Sequence, residues 1–286
     1  MKKKFSRLLG VGLAIVMLTS LMVVAAPVSA GTLKWSGFSP YPSTTGEILE
    51  SANITDIAVY GDGEVIYAAS GEVYLYKSTN GGASWSAIDI RSKASGDQPD
   101  LVAVAPDDPD LVVIADNATR RVWVSTNGGT TWGSLGKPEE SGGAAADTLT
   151  DLAISAESSG KHYVAVTGNE TGGLANVWYW DIGAASPYWH ELNDKTGIDA
   201  NSANSTVVAV EFSPNFASDQ TLVALTYEGD DIADTTDYVR LELYSFNQSK
   251  WNDDAGFAGY AVPIIEDDGI TTLLSGSIAV GPDYLG

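Results

Sequence analysis

Eight residues, Ser78-Thr79-Asn80-Gly81-Gly82-Ala83-Ser84-Trp85, recur almost unchanged 47 residues later as Ser125-Thr126-Asn127-Gly128-Gly129-Thr130-Thr131-Trp132. Each copy is a polar turn with two glycines, closed by a tryptophan, between two apolar alternating runs. Asn-Gly supplies the positive φ angles of a tight β-hairpin turn. The tryptophan pins the hairpin by burying a large ring. A hairpin loop repeated at this period restricts the chain to an architecture built blade by blade.

A second repeat runs through the short apolar stretches. An alanine sits at the centre of Asp56-Ile57-Ala58-Val59, Leu101-Val102-Ala103-Val104, Asp151-Leu152-Ala153-Ile154, Val208-Ala209-Val210 and Ile278-Ala279-Val280, at spacings of 45, 50, 56 and 70 residues. These read as innermost strands, where small residues fit because strands crowd around a propeller axis, and the spacings suit four-stranded blades. Blades are expected over about 54–90, 101–135, 149–192 and 207–252. The turn of the third is degenerate, with Trp189 arriving late after Trp180-Asp181-Ile182-Gly183. The turn of the fourth, Ser245 to Trp251, loses its glycine. Residues 31–50 are read as a closing strand and lead-in, centred on Leu33 to Phe38, and 271–286 as the start of a further blade. No helical period stands out. The expected fold is an all-β propeller of four-stranded antiparallel blades, about four plus the start of a fifth. This is an incomplete propeller, expected to be the front of a longer one of seven or eight blades; closure by oligomerisation is the rival.

The repeated loop resembles the Asp-box, or BNR repeat, Ser-x-Asp-x-Gly-x-x-Trp. Ser78, Gly82 and Trp85, and Ser125, Gly129 and Trp132, match it, whereas Asn80 and Asn127 stand where the family has Asp. The resemblance implies a propeller in which the box is a structural turn rather than an active site. The family spans sialidases, xyloglucan-cleaving enzymes, sorting receptors, photosystem assembly factors and bacterial surface-layer-associated proteins.

At the N-terminus, Lys2, Lys3, Lys4 and Arg7 precede an almost wholly apolar run from Leu8 to Ala26, and Val28-Ser29-Ala30 follows with small residues. This is the pattern of a secretory signal peptide over residues 1–30, cleaved before Gly31; an uncleaved anchor is the alternative. Cleavage removes four basic and no acidic residues, taking the formal charge from −22 to −26. It also removes all three methionines, and there is no cysteine. The exported chain is therefore free of sulfur, has no disulfide and no thiol chemistry, and relies on core burial. Its acidity argues against nucleic acid and anionic lipid as partners.

No catalytic set is legible. His162 and His190 are not at ligand spacing, and neither Gly-x-Ser-x-Gly nor His-Glu-x-x-His occurs. A sialidase grips its acid sugar through three arginines, for the bidentate geometry Arg offers a carboxylate. Residues 31–286 hold only Arg91, Arg120, Arg121 and Arg240. Glycosidases need two carboxylates across a cleft, and no pair stands out among 37 acidic residues. The acidic loops at 106–110, 228–237 and 266–268 are expected to be solvated turns. Asp230, Asp231, Asp234 and Asp237 are the calcium candidates, although no calcium-loop pattern is present. Candidate glycosylation acceptors are Asn53, Asn117, Asn169, Asn204 and Asn247. Trp178, Trp180, Tyr188 and Trp189 are either blade core or a sugar-stacking platform. The expected function is that of a non-enzymatic, secreted or cell-surface protein of the envelope, surface-layer-like, without cofactor. Its expected partners are envelope proteins, glycans or copies of itself, with no membrane span after cleavage. The alternative is a secreted glycoside hydrolase, sialidase- or xyloglucanase-like, or a carbohydrate-binding propeller.

Overall fold

Short apolar runs separated by glycine-rich turns leave the chain little choice but antiparallel strands, and a computed structural model shows seventeen of them among the residues it describes, 53–91, 94, 97–139, 144–198, 205–229, 237–267 and 273–281. The chain divides into two compact units, Met1–Pro42 and Ser43–Gly286, and every described residue belongs to the second. The expected signal peptide and the lead-in over 31–50 lie outside the described residues.

Blade one is β1 (Asp56–Val59), β2 (Ile66–Ala69), β3 (Tyr74–Ser78) and β4 (Ser86–Asp89). Blade two is β5 (Leu101–Val104), β6 (Val112–Asp116), β7 (Arg121–Ser125) and β8 (Gly133–Gly136). Blade three is β9 (Ala146–Ile154), β10 (His162–Glu170), β11 (Ala175–Ile182) and β12 (Trp189–Glu191). Blade four is β13 (Ser205–Phe212), β14 (Thr221–Glu228), β15 (Asp237–Ser245) and β16 (Lys250–Trp251). In each, strands pair antiparallel in sequence order. This is an all-β propeller of four-stranded blades, incomplete among the described residues. The inner strands β1, β5, β9 and β13 are neighbours in that order. A four-residue helix, α1 (Phe216–Asp219), is the sole α-helix described.

Blade four carries an element the sequence pattern did not reveal. β17 (Val262–Asp267) pairs with β15 over Asp237–Leu241, while β16 takes the other end of the same edge at Tyr244 and Ser245. Two short strands thus divide one outer edge. Residues Ser277–Val280, expected as an inner strand, belong to no sheet. An inner strand draws its ladder from the second strand of its own blade, and none pairs with it among the described residues.

The core lies between blades. Ala58, Tyr67, Leu75 and Ile90 meet Val112, Ile114 and Trp123 between blades one and two. Val113, Ala115 and Val122 meet Ile154, Val164, Val166 and Trp178 between two and three. Ala153, Ala165 and Val177 meet Phe212, Phe216, Tyr244 and Trp251 between three and four. A blade sandwiched on both faces needs apolar residues on both, which is why β6 reads Val-Val-Ile-Ala without alternation and is buried throughout. Indoles then staple blade to blade. Trp189 Nε1 donates to the Leu135 carbonyl of blade two at 2.8 Å, and Trp251 Nε1 repeats the bond to Leu192 of blade three at 2.8 Å.

The two repeated loops form the β3–β4 and β7–β8 turns with nearly the same hydrogen bonds. Gly82 N donates to Ser78 Oγ at 2.9 Å, and Gly129 N to Ser125 Oγ at 2.8 Å. Ser84 N donates to Asn80 Oδ1 at 2.8 Å, and Thr131 N to Asn127 Oδ1 at 2.9 Å. The glycines are required: φ is +63° and +84° at Gly81 and Gly82, and +64° and +87° at Gly128 and Gly129. Trp85 Nε1 closes the first loop on the Gly82 carbonyl at 3.1 Å.

The acidic 106–110 turn, expected to be merely solvated, is a clip across three blades. Asp110 Oδ1 accepts from Lys77 Nζ of blade one at 3.2 Å. Asp107 accepts from the Glu157 N–H of blade three at 2.7 Å and lies 3.0 Å from His162 Nε2. The turn is polar because its carboxylates bind its neighbours, not only because it faces water.

Gly168 marks a bulge where β10 crosses β9, and a Cβ there would overlap the Thr148 carbonyl. Gly168→Ala is expected to cost about 3 kcal/mol or more, since the obstacle is backbone. Gly63→Ala, at φ +76° in open space, should cost about 1 kcal/mol for its left-handed conformation alone. Urea unfolding of the two variants beside the wild type measures the difference.

Candidate functional site

Strand order places the inner strands around the axis, and three carboxyls from them line one cavity there. Asp56 opens β1 and Asp151 holds the equivalent place in β9. Asp56 Oδ1 accepts from its own strand at Ile57 N, and Oδ2 from Val102 N of β5, each at 2.8 Å. Asp151 Oδ1 likewise accepts from Leu152 N, and Oδ2 from Val210 N of β13, each at 2.8 Å. Each aspartate therefore uses one oxygen on its own strand and the other on an inner strand of another blade. Thr150 adds a further tie from its Oγ1 to the Val207 carbonyl at 2.5 Å.

Glu211, on β13, is the third axial carboxyl. With Asp56 and Asp151 it lines a cavity of about 510 Å3, which Gly276, Ser277 and Ile278 border on another side. A second cavity of about 610 Å3 adjoins it and is mainly apolar, with Ile57, Val59, Ile154, Phe212, Ile278 and Val280 in its wall. Ile57, Val59, Ile154, Glu211 and Ile278 border both. Among the described residues no lysine, arginine or histidine lines either.

Burial without a cation disfavours the charged carboxylates. It pushes Asp151 up to about 6, against the lowering effect of its two backbone bonds, with the Asp56 charge adding to the rise. Burial, and next the Asp151 charge, push Glu211 up to about 7. Burial also raises Asp56. Chemically, the two aspartates have both oxygens bound by backbone, and Asp151 and Glu211 both take up a proton more readily than an exposed carboxyl does.

A second carboxyl group lies in blade three, away from the inner strands. The buried Asn176 Nδ2 donates to Glu191 Oε1 at 2.7 Å and to Glu170 Oε2 at 3.4 Å. Burial pushes Glu191 up to about 7, and Glu170 beside it contributes. In blade four Glu242, fully buried, accepts from Thr226 Oγ1 at 2.7 Å and from Asn252 Nδ2 at 3.1 Å. These acids satisfy buried amides and hydroxyls inside single blades.

The residues singled out in the sequence do not gather at the axis. Ser78, Asn80, Gly82 and Trp85, and Ser125, Asn127, Gly129 and Trp132, sit in the outer turns. Of the calcium candidates, Asp230, Asp231 and Asp234 lie outside the described residues. Asp237 is buried at the start of β15, its Oδ1 accepting from Tyr227 Oη at 3.3 Å. Among the described residues no three acidic or histidine side chains come together in a metal-binding group. Asn53 and Asn247 are exposed. The Asn117 side chain accepts from Leu149 N at 3.2 Å, and that of Asn169 donates to the Ser205 carbonyl at 3.2 Å, so both amides tie one blade to the next. Asn204 lies outside the described residues.

Arg91 pairs with Asp89, Arg120 with Asp147, Arg121 with Asp97 and Arg240 with Glu228. The four arginines thus stand apart on separate partners. Trp178 and Trp189 are buried core and Trp180 packs against them, so the sugar-stacking platform reduces to Tyr188, 51% exposed. Its ring lies 3.9 Å from that of His190, which stacks on Tyr179 at 4.4 Å. The axial carboxyls were missed in the sequence. The signal that could have found two of them is a shared Thr-Asp pair, Thr55-Asp56 at the start of β1 and Thr150-Asp151 within β9.

These groups set a pH dependence. A carboxyl whose pKa is higher folded than unfolded contributes stability that is fully present below its ordinary value. That stability is lost as pH rises through the folded value. With Asp151 moving from 3.8 to about 6 and Glu211 from 4.5 to about 7, stability should fall between about pH 4 and 7, by on the order of 3 kcal/mol for either group. Thermal unfolding should come roughly 5–10 °C lower at pH 8 than at pH 5. Glu211→Gln should flatten that slope and raise Tm at pH 8.

No helix among the described residues is long and apolar enough to cross a membrane. No protein-family model and no curated protein matches the chain. Solved structures do match. The GH74 xyloglucanase of Xanthomonas campestris is 15% identical over 70% of this chain and 30% of its own, with a TM-score of 0.43. YCF48 bound to D1 peptide is 15% identical over 74% of this chain and 56% of its own, with a TM-score of 0.42. The β-propeller domain of Cps50 (Swd1) from Myceliophteria thermophila is 10% identical over 71% of this chain and 55% of its own, with a TM-score of 0.48. The chain therefore spans less than two thirds of each.

Proposed function

We propose that the chain is a non-enzymatic propeller, exported to the cell surface or envelope, with a structural or binding role. The observation that carries this reading is the state of the axial aspartates. Both oxygens of Asp56 and both of Asp151 are held by backbone N–H groups of two inner strands. A nucleophile or general acid must be free to meet a substrate atom; these carboxylates instead fasten the propeller at its centre. The separate pairing of the four arginines supports the same reading, since an acid-sugar clamp needs them convergent. Export rests on the basic and apolar opening of the sequence, and an envelope role on the acidity and lack of sulfur of residues 31–286. We read the two outer loops as Asp-box turns in which Asn80 and Asn127 take the place of Asp. Envelope proteins, surface glycans or further copies of the chain are the proposed partners. Calcium, if bound by the 228–237 loop, is structural.

Fractionation of the source cells, with N-terminal sequencing, tests this. The protein should be found in the envelope fraction beginning at Gly31. Its absence there would overturn the reading.

One observation favours a second reading, a glycoside hydrolase: Glu211 and Asp151 are acids with pKa values of about 7 and 6 lining one cavity, as acid–base pairs are tuned. A panel of plant and bacterial glycans separates the two. No hydrolysis is expected. Turnover that Glu211→Gln or Asp151→Asn abolishes, with folding intact, would establish the hydrolase instead.

A further inference from the structure

Both repeated turns put an asparagine directly before a glycine, at Asn80-Gly81 and Asn127-Gly128. That pair carries a chemistry of its own. The glycine nitrogen, once it has lost its proton to the solvent, attacks the asparagine Cγ. A Cγ–N bond forms, the Cγ–Nδ2 bond breaks, and the amide nitrogen leaves as ammonia with a proton from water. Water then opens the cyclic imide at one of its two carbonyls, giving aspartate or isoaspartate. Nothing is oxidised or reduced. Glycine hinders the attack least, because it has no Cβ.

In the folded turns the reacting atoms are held apart. Gly81 N donates to the Glu64 carbonyl, and Gly128 N to the Asp110 carbonyl, each at 2.9 Å. Asn80 Oδ1 accepts from Ser84 N at 2.8 Å and from Ser78 Oγ at 3.0 Å, while its Nδ2 donates to Ser84 Oγ at 2.8 Å. Asn127 repeats the set with Thr131 N at 2.9 Å, Ser125 Oγ at 3.0 Å and Thr131 Oγ1 at 2.8 Å. The nucleophile is tied to the preceding β-turn of its blade and the amide to the far side of its own turn. They meet only when the turn opens.

The second turn has a further lock, at the seam of blades one and two. Asp110, whose carbonyl holds Gly128 N, belongs to the 106–110 clip, and its Oδ1 accepts from Lys77 Nζ of blade one at 3.2 Å. A Cβ at Gly128 would meet both Lys77 Nζ and Asp110 Oδ1, so the clip lies directly on the glycine. Opening followed by reaction is not undone. Isoaspartate runs the main chain through the former side chain, adds a carbon to it, and takes the acceptor away from the N–H four residues on. We propose that Asn80 and Asn127 are self-modifying sites gated by their turns, kept as amides while the turns are closed and converted to aspartate and isoaspartate when they open, with the Lys77–Asp110 clip as the gate of the second. This goes beyond the envelope reading and does not depend on where the chain resides.

Peptide mapping by mass spectrometry after incubation at pH 8, folded and in urea, tests it, reading the mass gain of an amide that becomes an acid at each site. Conversion of both asparagines should be about tenfold or more slower in the folded protein than in urea, since reaction waits on opening. Asp110→Ala, which removes the partner of Lys77, should speed conversion of Asn127 in the folded protein about threefold or more and leave Asn80, its internal control, unchanged. Either site converting as fast folded as in urea would overturn the proposal. An unchanged Asn127 rate in a folded Asp110→Ala protein would remove the clip as its gate. If that variant does not fold, the wild-type comparison decides. These rates say nothing of localisation, so failure here leaves the envelope reading to its own test.

Discussion

Every blade of this protein must be covered on both faces, and that requirement shapes the residues at every level. A four-stranded sheet alone is a thin layer with two faces and little core. Stacked around an axis, a blade shares its faces with its neighbours, as blades two and three do on both sides, so hydrophobic burial is collected between blades rather than within them. β6 carries the consequence most plainly: Val112 and Ile114 belong to the cluster with blade one, whereas Val113 and Ala115 belong to the cluster with blade three. The small inner residues Ala58, Ala103, Ala153 and Ala209 follow from the same geometry, since inner strands approach one another where there is least room.

Apolar packing has no direction, so register between blades has to come from polar contacts. Trp189 and Trp251 each donate an indole N–H to the carbonyl of a leucine in the preceding blade, at the same distance. Around the axis Asp56 and Asp151 do the same with carboxylates. Asp107 and Asp110 do it where the 106–110 turn meets its neighbours. Such charge-assisted bonds to backbone N–H are stronger than neutral ones. They take up, in a chain without cysteine, part of the cross-linking role that disulfides have elsewhere. The accompanying cost is electrostatic. Burial raises the pKa of Asp56, Asp151 and Glu211, so ionising these carboxyls works against the fold.

What was legible in the sequence was local. The turns at 78–85 and 125–132 need particular φ angles that few residues supply, so composition and conformation coincide there. The alternating run Val239 to Tyr244 within β15 is likewise a local signal, read from period alone. The missed features are long-range. β17 has an ordinary sequence, Val-Pro-Ile-Ile-Glu-Asp, and its pairing depends on where β16 leaves the β15 edge free. The axial site draws on residues 56, 151 and 211, which only the winding of the blades brings into one cavity. Asp56, at a strand start, reads as a turn residue until its second oxygen is seen on the next inner strand. Trp178 and Trp189, candidates for a binding platform, are large rings in a buried seam, and nothing local separates the two roles.

The asparagines of the repeated turns connect these two scales. At Asn80 and Asn127 the side-chain oxygen accepts from the backbone N–H four residues on, which an aspartate does equally well. The amide nitrogen then donates to Ser84 Oγ and to Thr131 Oγ1, both at 2.8 Å, which an aspartate cannot do unless protonated. With aspartate the hydroxyl would have to donate instead, and each turn would gain a negative charge in a chain that already carries −22. Lys77, the cation next to the second loop, is already engaged with Asp110. Asparagine thus keeps the acceptor that the turn geometry needs while adding no further repulsion. Aspartates at positions 56, 107, 110 and 151 bind across blades, whereas in the two repeated turns, where the bond closes locally, asparagine does the same work without the charge.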